Sequence, residues 1–414
     1  TPLKSGNIST LAYIDRQMWV AVELCGVYVI DTQNLLHPKI EHIGYWYRSE
    51  DLSSPSVRSI FKDRYGNIWL GTWSGGVNFI SHRPSMFSTF PFDPNVSNTR
   101  SLTDKTVLGL CFDSHNRLWA AMDGGGVVMI ENGQRKATLS TEQLGTSDNT
   151  FDTAYRSSDG KLWFGSYGGW VAMADENTLQ FRAIKLEPQN GNTHADVRCF
   201  FEDINGNMLI GTGSGIYVID KEGQLTRHYD TRNSGIGEDN VHSISRDSQG
   251  NYGRGTFGQG LSILSPAMRR IPNSRTDNGF CSNAINHILH VGRGIMAVAT
   301  SAGLVVFDNG KATTFTKRDG LVNQQIRAIA IDSNQLLWLS TNKGLAYIDY
   351  KTRRVMNFPN NDYIGYGEFS NGAVTTDGNG NLYFGYNGGI CKFNPIDITK
   401  PHPDLLLQFT SLTI

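Results

Sequence analysis

Seven residues recur at near-constant intervals and carry the groups best placed for chemistry: Leu108, Asp152, Arg198, His242, Asn286, Arg327 and Gly372. Each stands second in a short segment of alternating apolar and polar residues, and the intervals between them run from 41 to 46 residues. Five of the seven are polar or charged. Brought side by side, they form a ring of donors and acceptors suited to a polyhydroxylated or an acidic ligand. A water-filled channel wall would carry the same column. A second set falls between later strand segments: Asp123, Tyr167, Trp170, Phe257, Gln259, Asn342, Lys343, Tyr386 and Asn387. Aromatic loop residues offer flat faces for sugar rings, with amides beside them for hydroxyls. Singly, each also reads as packing or as a solvated side chain.

Arg254 departs from its surroundings. It occupies the position that Leu70 holds in an equivalent segment, and Gly253 before it replaces a tryptophan. A buried unpaired guanidinium is costly, so Arg254 requires a carboxylate, a cluster of carbonyls or a ligand. For acid–base catalysis the one candidate pair is Asp152 with His242, two repeats apart.

Other motifs carry less. The D-x-x-G-N runs at Asp203, Asp247 and Asp377 start like a calcium loop, but the remaining ligands and the closing Glu are missing. GTWSGG and GTFGQG lack the Lys-Ser/Thr and the helix of a phosphate loop. His287 and His290, three apart in a strand, point to opposite faces and cannot chelate together. No C-x-x-C pair is present, and the five cysteines, Cys25, Cys111, Cys199, Cys281 and Cys391, sit inside strand-like segments as small apolar residues. No cofactor and no metal is expected.

The elements that hold these groups are one unit repeated. In its clearest copy, VRSIFKDRYGNIWLGTWSGGVNFI (57–80), an alternating strand leads through a D-x-x-G-N turn into an aromatic strand, and a Gly-Gly turn into a third. With Trp69 as marker, the equivalents are Trp19, Trp119, Trp163, Leu209, Gly253, Ala297, Trp338 and Tyr383. Two residues later comes a column of small residues: Ala21, Gly71, Ala121, Gly165, Gly211, Gly255, Ala299, Ser340 and Gly385. Small residues there let one sheet lie closely on the next. A period of this length with four short strands per unit is the mark of a β-propeller, an all-β fold of four-stranded blades.

The two longest spacings, of 50 residues, precede or cross a Pro-bearing connection at 81–103, and every later spacing is shorter. We therefore expect residues 1–85 to be the last two blades of an N-terminal propeller that is incomplete here, with a fourth strand near His42–Arg48. Residues 86–396 are expected to form a seven-bladed propeller whose last blade borrows FSTFPF (87–92) as its outer strand. A single ring of eight or nine blades is the competing layout. Residues 397–414 read as the start of a following domain.

The 414 residues have a net charge of −1 with charges scattered along the chain, which argues against a nucleic-acid or anionic-membrane partner for this region. There is no signal peptide and no apolar run near 20 residues. TPLKSGN does not look like a natural start, so a fragment of a longer protein is expected.

IFKDRYGNIWLGTWSGGV, FFEDINGNMLIGTGSGI and AIDSNQLLWLSTNKGL resemble the two-component regulator propeller repeat. RDGLVNQQIRAI (318–329) and GEFSNGAVTTDGNGNLYFGYNGGICKFNP (367–395) resemble late blades of the second propeller in such proteins. The resemblance implies the periplasmic sensor region of a hybrid two-component system, detecting oligosaccharides from polysaccharide breakdown. It also implies dimerisation of the full-length receptor, membrane attachment through segments outside this sequence, and an immunoglobulin-like domain after QFTSLTI. Two segments depart from it: NYGRGT and GIMAVAT lack the marker aromatic. On this reading the region is non-catalytic. Its ligand-binding residues would be Asp152, Arg198, His242, Arg254, Asn286, Arg327, Tyr167, Trp170, Phe257 and Tyr386. A propeller enzyme, lyase or glycosidase, and a non-binding scaffold are the alternatives.

Overall fold

The computed structural model describes residues 6–33, 36–44, 52–81, 86–94, 99–188, 195–271, 281–292, 294–309, 311–360, 364 and 367–399. The chain divides into two compact units, Thr1–Ser85 and Met86–Ile414.

The second unit is a seven-bladed propeller. Its blades span residues 107–139, 151–185, 197–229, 241–264, 285–315, 326–358 and 369–393, each an antiparallel sheet. Every first strand packs beside the first strand of the next blade, and Phe369–Thr376 of the seventh packs beside Val107–Phe112 of the first, which closes the ring. The seventh blade takes its outer strand from the start of the unit: Phe87–Pro91 pairs antiparallel with Gly389–Phe393, Phe87 opposite Phe393. Closure of this kind covers the edge that Gly389–Phe393 would otherwise present and leaves only short outer edges on the blades. Among the described residues the fourth blade has three strands rather than four, ending at Leu261–Leu264 with a single bridge from Leu264 to Arg270. Pro395–Thr399 is a short helix whose Ile398 packs in the core between the sixth and seventh blades. Residues 397–399 of the segment read above as opening another domain thus belong to it, and residues 400–414 lie outside the described residues.

The core is not one mass but seven wedges, one at each blade interface. The small-residue column explains how the wedges close. A methyl group at Gly211 would stand 2.9 Å from Val241, and one at Gly385 would stand 2.8 Å from Val107, in each case the first strand residue of the neighbouring blade. The marker tryptophans are anchored as well as buried. Trp119 Nε1 donates to Asp113 Oδ2 at 2.8 Å, and Trp338 Nε1 to Asp332 Oδ2 at 2.9 Å. The same aspartates accept from backbone amides two and four residues on, so one carboxylate shapes the turn and fixes the ring. Asp377 does the same for Tyr383, while Asp203 and Asp247 shape their turns and hold Asn207 and Asn251 instead of a ring.

The first unit holds two sheets, Ile8–Ile14 to Ile40–Ile43 with four strands and Val57–Lys62 to Val77–Ile80 with three. The fourth strand is Ile40–Ile43, and residues 45–51, which hold the rest of the segment expected up to Arg48, lie outside the described residues. The two sheets share a core that includes Trp19, Val29, Val57, Ile68 and Leu70. Among the described residues Trp19 Nε1 has no partner; the residue six positions earlier is Tyr13 instead of an aspartate. The outer face of the three-stranded sheet exposes a cross-strand row, Phe61, Trp69 and Phe79.

Candidate functional site

Strand register gives the recurring column its direction. In each of the first six blades the pairing of the first two strands skips one residue: Val107 pairs with Met122 and Gly109 with Ala121, leaving Leu108 unpaired. The same bulge leaves out Asp152, Arg198, His242, Asn286 and Arg327. A bulge inserts one residue against the partner strand and re-aims its side chain. Here it directs most of the column to one mouth of the central channel.

A cavity of about 430 Å³ at this mouth is lined by Leu108, Asp152, Arg198, His242 and Arg327, with Tyr167, Asp196, Glu368, Asn371 and Asn387 around them. It meets a channel of about 630 Å³ walled by the first strands, which shares Leu108, Asp152, Arg198, His242 and Asn371 with it.

Arg198 is tightly engaged. Its Nε donates to Asp196 Oδ2 at 2.6 Å, and its Nη1 contacts Asn240 Oδ1 and His242 Nε2. Burial, then the neighbouring guanidinium, push the His242 imidazole down to about 4, so at neutral pH it is an uncharged acceptor. Arg327 donates from Nε to Asn342 Oδ1 at 2.7 Å and from Nη1 to Asn371 Oδ1 at 3.2 Å, and faces Glu368 at 3.4 Å. Burial and the nearby Asp196 push the Asp152 carboxyl up to about 7 against the pull of Arg198. Two aromatics complete the rim. Tyr167 is 55% exposed and lines the cavity, and Phe257, 58% exposed, stacks on His242 at 5.9 Å.

Other expected members fall elsewhere. Asn286 is buried and donates to Ile326 O at 2.6 Å, tying the fifth blade to the sixth. Gly372 is not the seventh column residue. Phe369 pairs with Tyr386 and Val374 with Phe384, so residues 370–373 bulge out together and Asn371 reaches the mouth. Tyr386 is buried against Phe369 in the core between the sixth and seventh blades. Trp170 lies outside the cavity lining, with Lys185 Nζ 5.3 Å above its ring. Arg254 is fully buried inside the fourth blade, its Nη1 on Glu238 O and its Nη2 on Ser262 Oγ at 3.1 Å. Among the described residues its Nε has no partner, and burial pushes the guanidinium down to about 10. A carbonyl and a hydroxyl engage its two Nη nitrogens, and it is not a mouth residue.

The residues that sequence reading missed form a second column, each immediately before the first strand of its blade: Thr106, Asp196, Asn240, Gln325 and Glu368. Asp196 and Asn240 hold Arg198, and Gln325 Oε1 accepts from Asn342 Nδ2 at 2.8 Å. Their polar character at a fixed offset was a readable signal. The arrangement binds better than it catalyses: Arg198 lies on His242 and occupies the ring nitrogen that a general base would use. Among the described residues no His, Cys, Asp and Glu side chains cluster as a metal site, and no helix is long and apolar enough to cross a membrane.

A model of the two component regulator propeller matches residues 51–74 and 320–343. The chain is 37% identical to a solved structure described as the extracellular domain of hybrid two component system BT3049 from B. thetaiotaomicron, with a TM-score of 0.81, over 95% of this chain and 52% of that one. It is 23% identical to "Histidine kinase P4" of Formosa agariphila over 391 residues, 89% of this chain and 28% of that protein. Virginiamycin B lyase from Staphylococcus aureus shares the fold alone, at 15% identity and a TM-score of 0.55, over 71% of this chain and 96% of the lyase. The chain thus spans about half of the first of these relatives and less of the second.

Proposed function

Since this chain is one of the two-component regulator propeller proteins, we propose that it is the ligand-reading part of a periplasmic two-component sensor. On this reading its propeller takes an oligosaccharide from polysaccharide breakdown at the polar mouth and passes the signal towards transcription. The observation that carries it is the bulge-directed set Asp152, Arg198, His242 and Arg327, gathered over one cavity beside the exposed rings of Tyr167 and Phe257. A concave site of this size with a few fixed polar groups and flanking aromatics suits a short sugar chain. The likeness to the extracellular domain of a hybrid two component system supports the sensor half of the reading.

The test is calorimetry of the chain against a panel of neutral, acidic and amino-sugar fragments. At least one is expected to bind without being consumed. Tyr167→Ala should weaken it about tenfold, the loss of one stacking contact and its ordering, while the melting temperature stays put because the ring is exposed. Turnover of a fragment would favour an enzyme, and silence across the panel a scaffold.

The same reading assigns residues 1–85 to the closing blades of another propeller and makes the assembled receptor a dimer. In the ring, the face equivalent to Phe61, Trp69 and Phe79 is covered by the next blade, as Trp119 is by Leu162 and Phe164. Hydroxyl-radical footprinting should label these three aromatics in this chain and find them protected in the full-length receptor. Equal labelling in both would remove the assignment.

A further inference from the structure

Both arginines at the mouth already have a carboxylate each, Asp196 for Arg198 and Glu368 for Arg327. His242 adds no charge at neutral pH. Asp152 differs from all of these. Among the described residues no hydrogen bond or ion pair engages its carboxyl, and it lines both the mouth cavity and the channel beneath. The lining carries three carboxyl groups, Asp152, Asp196 and Glu368, against two guanidiniums, Arg198 and Arg327, so ionising Asp152 leaves one negative charge over. Asp123 and Asp148 add to the negative potential at Asp152. An acidic ligand would meet cations that are already matched and a carboxylate that is not.

We infer, resting on the sensor reading above, that Asp152 is the charge-reading group of the mouth and that its ligand presents a protonated amine there, as an amino-sugar unit does, rather than a carboxylate or a sulfate. The amine supplies the counter-charge and hydrogen-bond donors that the protein withholds from Asp152. Tyr167 offers its exposed face to the sugar ring, and the Asn371 and Asn387 amides stand beside it for hydroxyls. Besides burial, the groups that set the protonation of Asp152 are Asp196 and Arg198 from the third blade, Asp123 from the first blade and Asp148 ahead of its own strand. His242 from the fourth, uncharged at neutral pH, lines the same cavity. Since burial holds its proton to about pH 7, ligand binding at that pH also drives proton release from Asp152.

The experiment compares three probes by calorimetry at pH 7: a glucosamine tetramer, its N-acetylated counterpart and a galacturonate tetramer. The chain is used as wild type, Asp152→Asn and Tyr167→Ala. The amine tetramer is expected to bind about tenfold or more tightly than the acetylated one, the worth of one charge-assisted contact. That preference should vanish in Asp152→Asn and persist, on weaker binding, in Tyr167→Ala. Tighter binding of the acetylated or galacturonate probe, unchanged in Asp152→Asn and weakened in Tyr167→Ala, overturns the inference and leaves the mouth as a sugar site. Binding by none of the three, or binding indifferent to Tyr167→Ala, removes both.

Discussion

Replacing Phe87–Pro91 by a Gly-Ser segment of equal length is expected to abolish cooperative folding of the propeller at 37 °C. The seventh blade would keep three strands, and Gly389–Phe393 would become an open edge. Phe87 is buried between Phe358 and Phe393, with ring centroids at 5.3 and 5.1 Å, and Phe90 packs in the wedge between the seventh and first blades. Truncating the buried Phe87 costs roughly 3–5 kcal/mol, and the half-buried Phe90 adds a smaller loss. Two together approach the 5–15 kcal/mol or so that holds a typical domain folded. Thermal melts and light scattering of the eluted protein read the outcome. A variant that stays monomeric and melts within a few degrees of wild type would show that the ring closes without this strand.

Asp152→Asn is expected to stabilise the protein at pH 8 and to do nearly nothing at pH 4.5. The carboxyl sits at about 7 in the folded state against 3.8 in the unfolded chain, raised mainly by burial. A raised carboxyl makes the folded state hold its proton more strongly. The penalty of ionising it is therefore absent below about pH 4, grows as pH rises and is complete above 7. Three units correspond to about 4 kcal/mol, which water in an open cavity cuts to roughly 1–2 kcal/mol. The amide removes that penalty, so the melting temperature should rise by about 2 °C or more at pH 8. A gain that is equal at both pH values would assign the effect to packing, and no gain at pH 8 would mean the carboxyl is already well solvated. Stability yielded in this way at a binding group is a common feature of sites.

Much of the fold could be read from the chain because each repeat states it several times over. Alternating residues give the strands, the turn aspartates and glycines give their ends, and the small column gives the spacing of the sheets. Closure through FSTFPF was legible because the last repeat ends one strand short. The mouth was half legible. Arg198, His242 and Asp152 reach it, but Asn286, with the same register, turns to a carbonyl of the sixth blade instead. Residue type does not reveal which of two nearby acceptors an amide will choose. The seventh blade misled for a different reason: residues 370–373 bulge as a group, and the sequence NGAV gives no sign of where pairing resumes. Arg254 finds its partners in a carbonyl sixteen residues away and in Ser262, neither visible as a charge pattern.

The seam of the seventh blade also sets the order of events during synthesis. Ser88 meets the backbone of Lys392 across 304 residues of chain. A ribosome moving at 5–20 residues per second delivers that partner roughly 15–60 s after Ser88 has been made. Over that interval the first six sheets are made one after another, and the strand that must complete the seventh has nothing to pair with. The most distant pairing in the propeller is thus its last step, and newly made chains are most open to misassembly just before it. A chaperone that recognises this one waiting strand would protect the whole ring.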